Sequence, residues 1–185
     1  MSHPIWLVRH GEASATWGEH PDPGLSALGQ QQAVVAAESL IATLPGDVQL
    51  ISSPKQRAQE TAMPLAERLQ RPVRIDAAFT EVLSPAPLAE RQDWLKSFMR
   101  QTWREQSPPI LSWREGIIEG LLSLEQPTVI FSHFLVINTV VAYVREHQDT
   151  LQFWPDNGSV HEFGLDFQGN LRLVKLGEEM ATRIN

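Results

Sequence analysis

Cysteine is absent from this chain of 185 residues, and that absence excludes several kinds of chemistry. Without thiols the protein has no disulfide bond, no cysteine nucleophile and no cysteine-ligated zinc site. Long hydrophobic runs are also missing, so nothing in the sequence approaches the length of a membrane span. The short polar start before Ile5 does not have the pattern of a signal peptide. We therefore expect a cytoplasmic protein without a membrane partner.

Positive charge is scarce as well. The chain has 15 Lys and Arg residues against 22 Asp and Glu residues, and its net charge is −7. No run of basic residues occurs, whereas non-specific binding of nucleic acid requires a dense basic surface. We expect no nucleic-acid partner. The 42% hydrophobic and 20% charged content is that of an ordinary globular protein.

Short apolar stretches alternate with helical ones along the chain, which predicts an α/β fold. The expected architecture is a three-layer sandwich: a mixed, mostly parallel central sheet with helices on both faces. Residues 1–185 form a single domain in this interpretation, with a helical cap-like insertion at about 82–125. Ser26 opens the first helix, and Ser53 with Pro54 has the pattern of an N-cap followed by a first helical residue. The predicted strands are 5–8, 48–52, 72–75, 128–131, 160–167 and 171–176, and the predicted helices are 26–44, 54–70, 88–104, 112–124 and 134–146, with a loop at 10–24.

Basic side chains follow three of the predicted strands. Arg9 and His10 follow the first, Arg57 lies one turn into the helix after the second, and His133 follows the strand 128–131. Each residue alone is weak support, because a lone histidine usually belongs to the core and a helical arginine to the surface. Parallel strands, however, bring their carboxyl ends to one edge of a sheet. Two guanidinium groups, two imidazoles and two helix N-termini would there form a pocket for a dense anion such as phosphate.

Five motifs in this sequence resemble the histidine phosphatase superfamily, which includes phosphoglycerate mutase and many small phosphatases. They stand in the family's order and span nearly the whole chain, with the weakest resemblance at 82–125. The resemblance implies the fold expected above and catalysis through a phosphohistidine. The motifs are LVRHGEA (7–13), DPGLSALGQQQA (22–33), SSPKQRAQETA (52–62), VIFSHFLVIN (129–138) and PDNGSV (155–160).

The resemblance assigns His10 as the nucleophile that attacks phosphorus. Arg9, Arg57 and His133 would bind and neutralise the phosphate oxygens. Flanking arginines disfavour an imidazolium and so favour the neutral, reactive form of the ring. A backbone carbonyl, with Gly11 as the candidate, could hold the other ring nitrogen as N–H. Gly11 also suits a tight turn.

A carboxylic acid is needed to protonate the leaving alkoxide. The candidate is Glu81 in FTEVLS, because the family places its acid just after the third strand; a plain surface glutamate is the alternative, and Glu12 is the fallback. Thr61 either supports Arg57 or caps a strand. Asn157 and Ser159 either support the site or only form a turn.

This sequence departs from the family pattern at the walls of the expected pocket. Phe134 stands where a glycine usually follows the second histidine. An asparagine that often contacts phosphate is missing, and Ser14 and Thr16 are the candidates to replace it. The segment 88–124 contains several tryptophans and arginines, which either contact the substrate or fill a small core of their own. These departures affect the substrate more than the chemistry.

We expect no metal and no organic cofactor. The histidines outside the motifs show no ligand spacing, and arginines beside His10 and His133 would repel a cation. The predicted function is metal-independent hydrolysis of a small phosphorylated substrate. The alternatives are a phosphoprotein (phosphohistidine) phosphatase, a mutase, or a catalytically weak phosphate-ligand-binding protein. Whether the chain is a monomer or a homodimer stays open. The histidines outside the motifs are His3, His20, His147 and His161.

Overall fold

A computed structural model of the chain describes residues 3–16 and 19–181. Residues 17 and 18 of the predicted loop, and the two chain ends, lie outside the described residues. Within this part, six strands form one mixed sheet in the order β3-β2-β4-β1-β5-β6. The first four in this order run parallel, and β5 pairs antiparallel with both β1 and β6. The strands are β1 (His3–Arg9), β2 (Gln49–Ser52), β3 (Val73–Ile75), β4 (Thr128–Ser132), β5 (Val160–Leu165) and β6 (Leu171–Lys175).

Helices cover both faces of the sheet, which confirms the predicted α/β class. Alternate side chains of β1 point to opposite faces. Ile5 and Leu7 pack with α4 and α5 on one face, whereas Trp6 and Val8 pack with α1 and α2 on the other. The helices are α1 (Ala27–Ile41), α2 (Gln56–Leu69), α3 (Arg91–Phe98), α4 (Pro108–Leu122) and α5 (Phe134–Val144). Within the described residues, no helix is both long and apolar enough to cross a bilayer.

The start of α2 differs from the prediction. Ser26 caps α1 as expected, since its side chain accepts from the amide of Gly29. The predicted start of α2 at Pro54 is wrong, because the helix begins at Gln56 with Lys55 as its N-cap. The Ser53 hydroxyl accepts from the Lys55 amide at 3.2 Å and lies 2.7 Å from His133 Nε2. This serine is therefore held by the site and not by the helix.

The predicted helix 88–104 is also wrong. The structure has a single 3₁₀ turn at Leu88–Glu90, then α3, then another 3₁₀ turn at Trp103–Glu105. Thr150 Oγ1 bonds the carbonyls of Phe98 and Gln101, and the Trp103 amide donates to Gln148. These bonds to a distant loop satisfy the backbone where the helix would otherwise continue. The next helix, α4, begins at Pro108 and not at Ser112; proline is tolerated there because the first turn needs no amide partner.

The segment 82–125 packs around a small apolar core, to which α5 also contributes. Phe98 and Trp103 are almost fully buried in it, together with Val82, Ile110 and Leu135. The Arg114 guanidinium lies 4.7 Å from the Trp103 ring centroid. Trp103 therefore fills a core, which agrees with the interpretation that these tryptophans form a small core and not a substrate contact.

Candidate active site

The parallel register of the sheet brings three strand ends to one place. Arg9, the last residue of β1, is paired with Ser132, the last residue of β4. Ser52 ends β2 beside Phe131 of β4. His10 follows β1 directly, and its amide donates to the carbonyl of Ser132 at 3.0 Å. The residues that follow these strands consequently meet at the carboxyl edge of the sheet, where α/β folds hold their ligands.

His10 is buried and held in one tautomer by its partners. Its Nδ1 lies 2.7 Å from the carbonyl oxygen of Gly11, to which it donates. Its Nε2 accepts from Arg57 Nε at 3.1 Å. Burial, Arg57 and Arg9 together hold the pKa of His10 well below its usual value. The ring is therefore neutral near pH 7, and its Nε2 lone pair faces the arginine side of the pocket.

His133 lies opposite, with its ring centroid 5.3 Å from that of His10. It is fully buried and forms the N-cap of α5. Its Nδ1 accepts from Arg57 Nη2 at 3.3 Å, so Nε2 carries the proton and donates to Ser53 Oγ. Burial and Arg57 are the two largest causes that lower its pKa well below the usual range. One guanidinium thus bridges both imidazoles.

Arg57 owes its position to the first turn of α2, and it meets a carboxylate there. Its Nη1 lies 3.9 Å from Asp22 Oδ1, and the same oxygen accepts from the Gln56 amide at 3.0 Å. Burial lowers the pKa of Arg57, while Glu81 and Asp22 raise it. The guanidinium remains charged at neutral pH, because the ordinary pKa of arginine lies far above neutrality.

Glu81 lies buried at the start of α5. Its Oε1 accepts from its neighbour's amide, that of Val82, at 3.0 Å, and its Oε2 accepts from the Leu135 amide at 3.2 Å. Burial raises the pKa of this carboxyl, although these two bonds and the charges of Arg57 and Arg9 act in the opposite direction. A carboxyl group in this environment can carry a proton at a pH where a surface glutamate cannot.

The two helix N-termini at the site are already partly occupied. We expected their backbone amides to be free for an anion, but Asp22 accepts from Gln56 in α2 and Glu81 accepts from Leu135 in α5. A negative side chain at a helix N-terminus is favourable in itself. Binding of phosphate at this edge would therefore depend mainly on the guanidinium groups, and less on the helix N-termini than the sequence predicts.

Arg9 lies against the aromatic ring of Phe134. Its Nη1 donates to the carbonyl of Pro155 at 2.7 Å, and its Cζ lies 5.2 Å from the Phe134 ring centroid. Phe134 contacts Trp154 edge to face, with 5.4 Å between centroids. Burial is the largest cause of an Arg9 pKa lowered to about 10, so this side chain also stays positive near neutrality.

Three further predicted residues hold the backbone around His10. Thr61 Oγ1 accepts from the Gly11 amide at 3.0 Å and donates to the Arg57 carbonyl at 2.7 Å. Asn157 Nδ2 donates to the His10 carbonyl at 3.2 Å. A Cβ on Gly11 would lie 2.4 Å from the carbonyl oxygen of Gly29, so only glycine allows this loop to lie against α1. Thr61 supports the loop and backbone, and does not contact the Arg57 guanidinium in any bond described.

Other predicted residues lie on the surface. Glu12, Ser14 and Thr16 are exposed. The Glu12 carboxylate accepts from Ser26 Oγ at 2.7 Å, and the Thr16 amide donates to Glu19. These contacts fasten the loop, and the structure does not bring the three side chains to the imidazoles.

Two residues at the site were not predicted as parts of it. Ser53, which accepts from His133, follows the second predicted strand and has the pattern of a helix cap, and Asp22 lies in a motif without a role of its own. Each of the two residues is followed by proline, which indicates a local turn. Such a local pattern does not predict contacts with residues that are 80 and 34 positions away in the sequence. Within residues 3–16 and 19–181, no three His, Asp or Glu side chains gather as a metal site would require.

Comparison with known proteins gives a consistent result. The family model of the histidine phosphatase superfamily, branch 1, matches residues 5–179. A glucosyl-3-phosphoglycerate phosphatase of Mycolicibacterium vanbaalenii is 38% identical over 79 residues, 40% of this chain and 34% of that protein. An uncharacterized protein of Mycobacterium tuberculosis is 32% identical over 127 residues, 62% of this chain and 59% of that protein. The chain thus matches between a third and three fifths of these relatives' length.

Solved structures resemble the chain over almost its full length. A phosphoserine phosphatase of Entamoeba histolytica, in complex with 3-phosphoglyceric acid, has a TM-score of 0.73 at 23% identity and covers 95% of this chain and 97% of its own. A putative alpha-ribazole-5'-P phosphatase of Escherichia coli has a TM-score of 0.74 at 18% identity and covers 95% and 96%. At these identities the likeness establishes the shared fold.

Proposed function

Because the chain belongs to the histidine phosphatase superfamily, branch 1, we propose that it hydrolyses phosphate monoesters of small metabolites through a phosphohistidine at His10. The observation that carries this proposal is the state of His10: Nδ1–H bound to the Gly11 carbonyl, Nε2 unprotonated, and Arg57 3.1 Å from that nitrogen. The proposed nucleophile, His10, and a proposed phosphate-binding cation, Arg57, are thus in direct contact. Similarity to a glucosyl-3-phosphoglycerate phosphatase and to a phosphoserine phosphatase supports the same reaction class.

The first step transfers the phosphoryl group to the enzyme. Phosphate oxygens draw the Arg57 guanidinium away from His10 Nε2, which frees the lone pair. Nε2 forms a bond to phosphorus as the ester P–O bond breaks. Arg9 and Arg57 donate to the phosphoryl oxygens, whose charge is spread in the transition state. His133, whose Nδ1 accepts from Arg57 Nη2, holds that guanidinium beside the phosphate. Glu81 gives its proton to the leaving oxygen.

The second step restores the enzyme. Glu81, now a carboxylate, takes a proton from water, and the water oxygen attacks phosphorus. The N–P bond breaks, His10 regains its lone pair, and inorganic phosphate leaves. No step of this scheme requires a metal ion, and we include metal independence in the proposal. The 82–125 segment serves as a cap-like insertion in the single domain that we propose.

The test is hydrolysis of p-nitrophenyl phosphate in the presence of EDTA, with His10→Ala beside the wild-type protein. We expect activity in EDTA from the wild-type protein and a loss of at least about a thousandfold in the variant, the order seen when a nucleophile is removed. Activity that requires added metal, or that persists in the variant, would overturn the mechanism.

A further inference from the structure

The buried acid Glu81 bonds the first turn of α5, and that helix begins with an aromatic residue. Glu81 Oε2 accepts from the amide of Leu135, the second residue of α5. Phe134 is the first residue of that helix and directly follows His133. A leaving oxygen that takes the Glu81 proton therefore lies at the start of α5, the helix whose first residue is Phe134.

The ring of Phe134 is one half of an aromatic wall, which we define as Phe134 and Trp154. The two rings meet edge to face at 5.4 Å between centroids, and both side chains are only half-buried. Arg9 connects this wall to the phosphate side, since its guanidinium lies 5.2 Å from the Phe134 centroid. The wall therefore lies directly beside Arg9, one of the proposed phosphate-binding cations.

The wall is fixed and does not depend on a free loop. The Pro155 carbonyl, next to Trp154, accepts from Arg9 Nη1 at 2.7 Å. The Met180 amide donates to the Trp154 carbonyl at 2.8 Å, and Phe134 packs against the core of the 82–125 segment. A preorganised aromatic surface binds a planar group without a large ordering cost.

We propose that Phe134 and Trp154 determine specificity and select phosphate monoesters whose alcohol carries an aromatic or other flat apolar group. This inference rests on the proposed function, because it assigns the leaving alcohol to the Glu81 side of the site. Aromatic pairs gain about 0.5–1.5 kcal/mol beyond area burial, or about two- to twelvefold.

The test compares 2-phenylethyl phosphate with propyl phosphate, two primary alkyl esters with leaving groups of similar basicity. We expect kcat/KM to favour the phenylethyl ester by about fivefold or more. Phe134→Leu keeps an apolar side chain and should bring the ratio close to one. Phe167→Leu is the matched control, because Phe167 is 79% exposed beyond β5 and should leave the ratio unchanged. A wild-type ratio near one, or a ratio that Phe134→Leu does not lower, overturns the inference.

Binding of 2-phenylethylphosphonate and propylphosphonate to the wild-type protein separates this inference from the proposed function. Calorimetric titration needs no turnover and no variant that has to fold. Tighter binding of the phenyl compound without hydrolysis of either ester would support the wall and overturn the phosphatase. Hydrolysis of both esters with equal kcat/KM, and equal binding of both phosphonates, would support the phosphatase and overturn the wall. Binding of neither phosphonate would overturn both.

Discussion

The pocket at the strand ends and the 82–125 segment are stabilised by different interactions. In the pocket, Arg57 donates to both imidazoles. The other ring nitrogen of His10 donates to the Gly11 carbonyl, and that of His133 donates to Ser53 Oγ. In the segment, Phe98 and Trp103 pack in an apolar core, and a cation lies over one ring. The difference indicates that chemistry depends on few polar contacts at fixed positions, whereas the segment contributes shape and stability. Substitutions in the two regions should separate activity from stability.

The largest effect is expected from Arg57→Gln. The change removes the donor that both imidazoles share and a charge that phosphate requires, so kcat/KM for p-nitrophenyl phosphate should fall about a thousandfold. The control is Arg68→Gln, on the same helix, where the exposed arginine pairs with Glu38 on the surface. Circular dichroism should show both variants folded. A loss below tenfold at Arg57 would contradict the pocket's proposed role.

The matching change in the 82–125 segment is Phe98→Ala. This ring is almost fully buried, so its truncation should cost about 3–5 kcal/mol in the free energy of unfolding. We expect kcat/KM of the folded variant to stay within about tenfold of the wild-type value. Urea unfolding measures the first quantity, and Phe167→Ala, on an exposed ring, is the control. A stable but inactive Phe98 variant would show that the segment takes part in the chemistry.

Glu81→Gln changes a carboxyl that accepts from the amide of Val82, where the segment begins, and interacts electrostatically with Arg57 of the pocket. Burial raises the pKa of this carboxyl, so it keeps its proton to a higher pH than an exposed glutamate and loses it as pH rises through that raised value. For alkyl esters, kcat/KM should fall about a hundredfold in the variant, and the alkaline decline of the wild-type protein should disappear. For p-nitrophenyl phosphate, whose leaving group needs no proton, the loss in kcat/KM should stay below about tenfold.

The control for this prediction is Glu12→Gln, which changes the exposed carboxylate that was the fallback acid. It should leave kcat/KM unchanged for both classes of ester. Equal losses on alkyl and p-nitrophenyl esters in Glu81→Gln would contradict the acid role of Glu81. A large loss on alkyl esters and a small loss on p-nitrophenyl phosphate in Glu12→Gln would identify Glu12 as the acid.

The smallest effect is expected from Asp22→Asn at the rim of the pocket. The carboxylate is 42% exposed and 3.9 Å from Arg57 Nη1, so the attraction is screened by solvent. Asparagine still accepts from the Gln56 amide but no longer competes with phosphate for the guanidinium. Inorganic phosphate should then inhibit about two- to fivefold more tightly. Glu38→Gln, in a remote surface pair, is the control, and weaker inhibition in Asp22→Asn would contradict the competition.

The sequence predicted the sheet and the meeting of the motifs because both follow from local patterns and one topological rule. Buried strands are short apolar runs, and residues after parallel strands meet at one edge. Ser53 could not be predicted in its role, since a serine before proline has the same pattern whether it caps a helix or accepts from a histidine 80 residues away. The break after Phe98 depends on Thr150, whose hydroxyl replaces helix bonds from a distance of 52 residues.

The most direct test of the account is capture of the phosphorylated enzyme. Glu81→Gln should still accept the phosphoryl group of p-nitrophenyl phosphate but lack the base that activates water, so the intermediate should accumulate. We predict about one phosphoryl group per chain after an alkaline quench, stable to alkali, labile to acid and located on the peptide that contains His10. Release of p-nitrophenol without phosphoryl transfer to His10, or with transfer to another residue, would contradict the central claim.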